Sequence, residues 1–160
     1  MIIRTSYFYQ VRFFKKNMLP LSTAVYDPKW FHNFCSQSFV FLDKNGIING
    51  LRLRDLAPGP SCVGKCAGRL MCGSSPDKCD FYANYKNQLR NICFTDFMYK
   101  LERASNTYKN KMGLEEDPIV VLLVHEAPNN ECSERKAIQD WFKENGVAVS
   151  ELKYPIAENY

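Results

Sequence analysis

The chain has 160 residues, 46% of them apolar, and a formal charge of +4. That is enough apolar material for one core and too little for a second full domain. No apolar run approaches the roughly 20 residues of a membrane span, and the charge falls short of the dense Lys/Arg footprint of a dedicated nucleic-acid binder.

Met1 to Ser6 lacks a charged segment followed by a long apolar one, so the chain reads as cytoplasmic, with no membrane partner and an open oligomeric state. A mildly basic balance suits a phosphate-bearing small molecule or a nucleic acid. Seven cysteines is an odd number, and four of them fall within eighteen residues, which without a signal peptide points to metal rather than disulfides.

Ile2 and Ile3 open a first strand that runs through Arg4, Thr5 and Ser6. From Tyr7 to Lys16, Tyr7, Val11 and Phe14 share one helical face while Arg12, Lys15 and Lys16 stay wet. The same mixture of aromatics and cations also marks surfaces on which single-stranded nucleic acid stacks. Pro20 is expected to end this helix, and Leu21 to Val25 suits a second strand. Asp27-Pro28-Lys29-Trp30 then reads as a turn that presents Asp27, Lys29, Trp30 and His32, or simply as a capped turn with a packed Trp.

Phe39 to Leu42 and Gly46 to Leu51 flank Asp43-Lys44-Asn45-Gly46, a hairpin signal placed at a sheet edge or flap. Ala57-Pro58-Gly59-Pro60 closes it as a rigid loop. Cys62, Cys66, Cys72 and Cys79 follow, interleaved with glycines that let the backbone turn sharply between ligands. Four thiolates so placed can hold structural zinc; an iron–sulfur cluster, and unligated thiols or a redox pair, are the alternatives. The insertion spans about 58–80 of a single α/β domain, residues 1–160.

Asp80 to Arg90 reads as helix with Tyr82, Tyr85 and Leu89 on one side. A longer helix begins at Thr95, carries Phe97, Leu101, Ala104, Tyr108 and Met112 at helical intervals, and stops at Gly113. An acidic turn, Glu115 to Pro118, leads into Ile119–Val124, an apolar β-branched run of the kind buried on both faces of a parallel sheet. After the loop His125 to Cys132, Ser133 caps a helix whose stripe is Ala137, Ile138, Trp141 and Phe142; Gly146 ends it, and Val147, Val149 and Leu152 form a further strand. Strand, loop, helix and strand make one crossover of a mostly parallel sheet, and ligands of such sheets sit beyond the carboxyl ends of the strands.

That rule directs attention to the loop before the last helix. Cys132 stands at the helix amino terminus, where backbone amides and the dipole stabilise a thiolate; with Ser133 and Arg135 the same amides suit a phosphate or carboxylate. Strand alternation sends His125 and Glu126 to opposite faces. Glu126 is the one expected to face the cleft, as a general base or as the carboxylate of a buried pair with Arg135. The chain contains neither a Walker loop nor a dinucleotide fingerprint after the first strand, and the spacing from Cys132 to Arg135 is not that of the cysteine phosphatases.

Val120-Val121-Leu122-Leu123-Val124-His125-Glu126, Cys132-Ser133-Glu134-Arg135, Ile138-Gln139-Asp140-Trp141-Phe142 and Asn145-Gly146 resemble the closing motif of the bacterial and viral proteins grouped as domain of unknown function 488. Thr5-Ser6-Tyr7-Phe8, Pro20-Leu21-Ser22 and Pro28-Lys29-Trp30-Phe31 extend the resemblance to about two thirds of the chain. Many of those proteins carry Cys-His-Arg before the final helix. Here Arg135 falls on the arginine, Glu134 replaces the histidine and Cys132 is one residue early. The resemblance implies a Rossmann-like α/β fold and action on nucleotides or nucleic acids, without supplying a reaction.

The expected protein is therefore a small enzyme or ligand-binding protein acting on a nucleotide, nucleoside or nucleic-acid end, with a cleft of Arg4, Ser6, Asp27, Lys29, Trp30, Glu126, Cys132, Ser133 and Arg135. Arg135 and the helix amides would hold the anion, and Glu126 or Asp27 would move protons. The alternative is a non-catalytic nucleic-acid-binding or protein-binding module with a structural metal site, a viral host-interaction protein among the candidates.

Overall fold

The computed structural model describes residues 1–29, 31, 53–62, 79–128 and 133–160. The expected hairpin, Trp30, His32, Cys66, Cys72 and Cys132 lie outside the described residues.

Among the described residues four strands form one sheet: β1 (Ile2–Tyr7), β2 (Met18–Ser22), β3 (Ile119–Val124) and β4 (Ser150–Glu151). Their order is β2-β3-β1-β4 and every pairing is parallel, which makes this an α/β fold. Ile119–Val124 sits between two neighbours, as its uninterrupted apolar sequence requires, and Val120 to Val124 are fully buried. Three helices cover one face: α1 (Asp80–Arg90), α2 (Phe94–Met112) and α3 (Glu134–Glu144). They bury Tyr85, Leu89, Phe97, Leu101, Ala137, Ile138, Trp141 and Phe142 against Ile3, Leu19, Leu21, Val120, Leu122 and Val124. Phe94, Phe97, Trp141 and Phe142 meet edge to face at 5.1–5.9 Å, the arrangement ring quadrupoles favour.

Among the described residues, the opposite face is covered by a 3-10 helix (Phe8–Phe13) and the short carboxyl-terminal α4 (Ile156–Asn159). Phe8, Val11, Phe14, Met18, Phe31, Val121, Leu123, Leu152 and Ile156 form its core.

Helix boundaries follow their caps. Ser133 Oγ accepts the Lys136 N–H at 3.5 Å at the start of α3, and Cys79 Sγ accepts the Tyr82 N–H at the start of α1. Gly113 ends α2 with φ +61°, a conformation glycine adopts without steric cost.

Three sequence expectations need correction. The segment after β1 is a 3-10 helix of six residues rather than an α-helix to Lys16; its buried set, Phe8 and Val11 followed by Phe14, repeats every three residues, while Tyr7 belongs to the strand. Pro20 lies inside β2 instead of ending a helix, and β2 precedes the expected Leu21–Val25. Proline is tolerated there because β2 is outermost in the sheet among the described residues, so one missing N–H leaves no ladder broken on that side. The final strand contracts to Ser150 and Glu151, Leu152 following with an N–H bond to the Thr5 carbonyl. No helix among the described residues is long and apolar enough to cross a membrane.

Candidate functional site

Parallel pairing in register brings the carboxyl ends of the strands level. Tyr7 pairs with Val124, Ser22 with Leu123, and Thr5 with Glu151. Above these ends run Thr23, the segment His125 to Ala127, and the first turn of α3.

Arg135, only 4% exposed, is the pin of this region. Its Nε donates to Glu151 Oε2 at 2.7 Å, Nη1 to the Ala127 carbonyl at 3.0 Å, and Nη2 to the Glu126 carbonyl at 2.6 Å. Three of its five donors are thus spent on holding the loop and the edge strand together. The carboxylate partner of Arg135 is Glu151, which the sequence reading had not considered, and Glu126 offers its carbonyl rather than its side chain. Glu151 is well supplied with donors: Thr5 Oγ1 reaches Oε2 at 2.7 Å and the Tyr154 hydroxyl reaches Oε1 at 2.6 Å. Gln139 Nε2 in turn donates to Thr5 Oγ1, and Ser6 Oγ pairs with the Tyr154 hydroxyl at 2.8 Å. Burial first, and then the bond to Glu151, raises the Tyr154 phenol above its ordinary pKa and keeps it a donor.

A second group lies on the helix-covered side of the same strand ends. Glu134, 9% exposed, and Glu126 each have a buried Oε2 with no hydrogen-bond partner among the described residues. Burial raises both carboxyls. Glu134 is pushed up to about 8, by desolvation and then by the charge of Glu126, with a Thr23 hydrogen bond and Arg135 pulling the other way. Glu126 is raised by desolvation against the pull of its own backbone amide, Arg135 and His125. Tyr85 stands close enough to both to have its own phenol raised, chiefly by burial and then by Glu134. At neutral pH Glu134 therefore holds a proton. Two neighbouring carboxyls raised to different extents by burial are the arrangement from which general acid and base pairs are made.

The other expected site residues disperse. His125 and Glu126 do diverge: His125 is exposed, with Nε2 2.7 Å from the Tyr26 carbonyl and its ring 4.8 Å from Phe8. Asp27 accepts the Ser22 hydroxyl hydrogen bond, and Ser22 shares the face of its partner Leu123, away from Glu126. Arg4 sits mid-strand, beside Thr5, with Nη1 on its own neighbour's carbonyl, Ile3, at 3.0 Å. Lys29 is exposed, Ser6 joins the Tyr154–Glu151 network, and Ser133 is buried as the cap of α3.

Of the four cysteines with ligand spacing, Cys62 and Cys79 are described. Both are buried, unpaired thiols in the helix-side core, with Cys62 Sγ 3.7 Å from Gln88 Oε1. Among the described residues no group of three or more His, Cys, Asp or Glu is placed to hold a metal ion.

Glu151, Thr23 and Tyr154 are not among the residues the sequence singles out, and Glu134 is marked there only as the residue in place of a histidine, since an acid in the first turn of a helix is ordinary. Glu151 was marked only by following the alternation of Val147 and Val149. No protein-family model, curated protein or solved structure matches this chain.

Proposed function

We propose that the chain is a small cytoplasmic enzyme of Rossmann-like architecture that performs general acid–base chemistry on a nucleotide, nucleoside or nucleic-acid end. The observation that carries the reading is the pair of buried, unpartnered carboxyl oxygens of Glu126 and Glu134 beyond the carboxyl ends of a parallel sheet, where such folds bind ligands. Leaving them without partners costs stability, and that cost is commonly borne where a group must meet a substrate. Glu134 would give a proton to the leaving group and Glu126 would take one from the attacking group, while Arg135 positions the backbone between them. The substrate class follows from the resemblance to domain of unknown function 488. In that comparison Glu134 occupies the place of a histidine, and burial moves its titration into the range where histidine titrates.

Structural zinc held by Cys62, Cys66, Cys72 and Cys79 belongs to the same proposal, with an iron–sulfur cluster as the alternative. Its support is that Cys62 and Cys79 turn toward one core with neither in a disulfide. Elemental analysis near one equivalent of zinc, with no visible absorption band, is the expected result; a coloured protein selects the cluster.

The test of the catalytic reading is turnover of a panel of nucleosides, nucleotides and short oligonucleotides between pH 5 and 9. Activity should decline above about pH 8 as Glu134 ionises and fall about 100-fold or more in Glu134→Gln, in line with loss of a general acid. An inert panel, or a variant as active as the parent, overturns it. A non-catalytic nucleic-acid-binding module is the second reading, favoured by the exposed aromatic rings of the 3-10 helix.

A further inference from the structure

The 3-10 helix buries Phe8 and Val11 but leaves Tyr9 and Phe13 52% and 51% exposed. Their ring centroids are 6.0 Å apart, Tyr9 is 6.4 Å from Tyr7, and Tyr7 meets Tyr154 at 5.9 Å. Both ends of this row, Phe13 and Tyr154, line an open pocket of about 470 Å³ whose other walls are Gln10, Pro155, Ile156 and Ala157. That volume is within the range of small-ligand sites, and Gln10 gives the apolar walls one amide able both to donate and to accept.

The 3-10 helix side of the pocket is cationic, the other side less so. Arg12 lies over the Tyr9 ring at 4.0 Å, Lys15 and Lys16 are exposed, and residues 1–26 contain no Asp or Glu, while Glu158 follows Ala157 on the opposite wall. The pocket also touches the strand-end site. Tyr154, one of its walls, donates to Glu151, which holds Arg135, and the Arg135 guanidinium stands 6.0 Å from the Tyr7 ring. Neighbouring cations and half-exposed rings beside a cavity are what a stacked base with a trailing phosphate requires.

We infer that this pocket is a nucleobase subsite, which seats an unpaired base at the end of a single-stranded nucleic acid between Phe13 and Tyr154 while Arg12, Lys15 and Lys16 follow the backbone. The inference rests on the substrate class proposed above. Base recognition here depends on the π-face and on shape, so it tolerates different bases. Charge complementarity favours this occupant over an apolar side chain of a protein partner, which has no use for the surrounding cations.

The test is fluorescence anisotropy with a labelled short oligothymidylate and an abasic strand of equal length and charge. The oligothymidylate should bind about tenfold or more tighter than the abasic strand, and the double variant Tyr9→Ala, Phe13→Ala should lose that advantage. Because both rings are half exposed, circular dichroism should show the double variant still folded. Equal affinity for the two strands, or an unchanged double variant, overturns the subsite. So does the finding that the variant loses a stoichiometric protein complex while no oligonucleotide binds even at low salt. Glu134→Gln keeps the two proposals apart: whatever its overall affinity, it should keep the preference for oligothymidylate over the abasic strand. Turnover lost in Glu134→Gln with base binding indifferent to Tyr9 and Phe13 leaves the acid–base reading and removes the subsite. Base binding lost in the double variant of a protein that turns nothing over does the reverse.

Discussion

Glu151 and Glu134 both lie within the electrostatic reach of Arg135, and their surroundings are opposite. Glu151 receives Arg135, Thr5 and Tyr154, a fully supplied carboxylate at the edge of the sheet. Glu134 is more deeply buried, has a Thr23 hydrogen bond and a second carboxyl as neighbours, and leaves one oxygen unpartnered among the described residues. Low local dielectric acts on both: it strengthens the satisfied network and penalises the unsatisfied one. The first region is therefore built to hold the fold, and the second carries a strain that the fold alone does not explain.

The largest effect expected from this contrast is in stability against pH. Glu134 titrates near 8 when folded and near 4.3 in an unfolded chain. Between those values the unfolded chain has given up the proton that the folded protein keeps. Stability due to Glu134 is thus fully present below the lower value, falls as pH rises toward 8, and levels off above it, by on the order of 5 kcal/mol in all. Denaturant titrations at pH 5, 7 and 9 should show this fall in the parent and a much flatter profile in Glu134→Gln. A parent whose profile is as flat as the variant's breaks the comparison, because Glu134 would then be as well satisfied as Glu151.

Next comes Arg135→Ala. Removing the guanidinium strands Glu151, itself partly buried, and releases the carbonyls of Glu126 and Ala127, at a cost of about 3 kcal/mol. In a chain of this length that lowers the melting temperature by roughly 10 °C. If Arg135 serves mainly to hold an anion, one of the two roles its sequence position allows, the same variant loses ligand binding with melting almost unmoved; a structural pair predicts the drop. A melting temperature unchanged in Arg135→Ala would restore the anion-holding role.

Arg135 shows what the sequence could and could not convey. Ile119–Val124, the cap Ser133, the helix Asp80–Arg90 and the stop at Gly113 were all legible, because periodicity, capping chemistry and glycine conformation act over a few residues. Pro20 misled because tolerance of proline depends on whether its strand is outermost, a property of the sheet. That His125 to Ala127 and the start of α3 lie at the strand ends was legible too, since crossover connections place loops there, and the candidate site is proposed on that ground. Its membership was not. The bond between Arg135 and Glu151 joins a helix to a strand that follows it, and the closeness of Glu134 to Glu126 depends on how α3 settles over β3. Such pairings follow from tertiary packing, and no spacing in the chain encodes them.

A finer test of the satisfied region is Tyr154→Phe, which removes a single donor from Glu151 and the partner of Ser6 while keeping the ring against Tyr7. The expected loss is about 1 kcal/mol, the net worth of an ordinary buried hydrogen bond. Arg135 and Thr5 still serve Glu151, so the loss should be well below that of Arg135→Ala; losses of equal size would mean that the network fails as a unit.

The smallest effect separates partnering from burial. Glu144 is partnered like Glu151 but lies in the open: its side chain is 40% exposed while it bridges Arg90 and the buried Lys86 between α1 and α3. Arg90 first, and then Lys86, hold its carboxyl down to about 2. The sign is opposite to that of Glu134. Stability from Glu144 is present above the unfolded value near 4.3 and is lost as pH falls toward 2. Solvent screening limits the amount, so Glu144→Gln should cost only about 1 kcal/mol at pH 7, and concentrated salt should remove much of the difference. Glutamine keeps an oxygen for Lys86, so what disappears is mainly charge. A loss as large as that of Arg135→Ala, insensitive to salt, would show that a carboxylate with two cations stabilises this fold equally well inside or outside, and that the cost assigned to Glu134 comes from its missing partner alone.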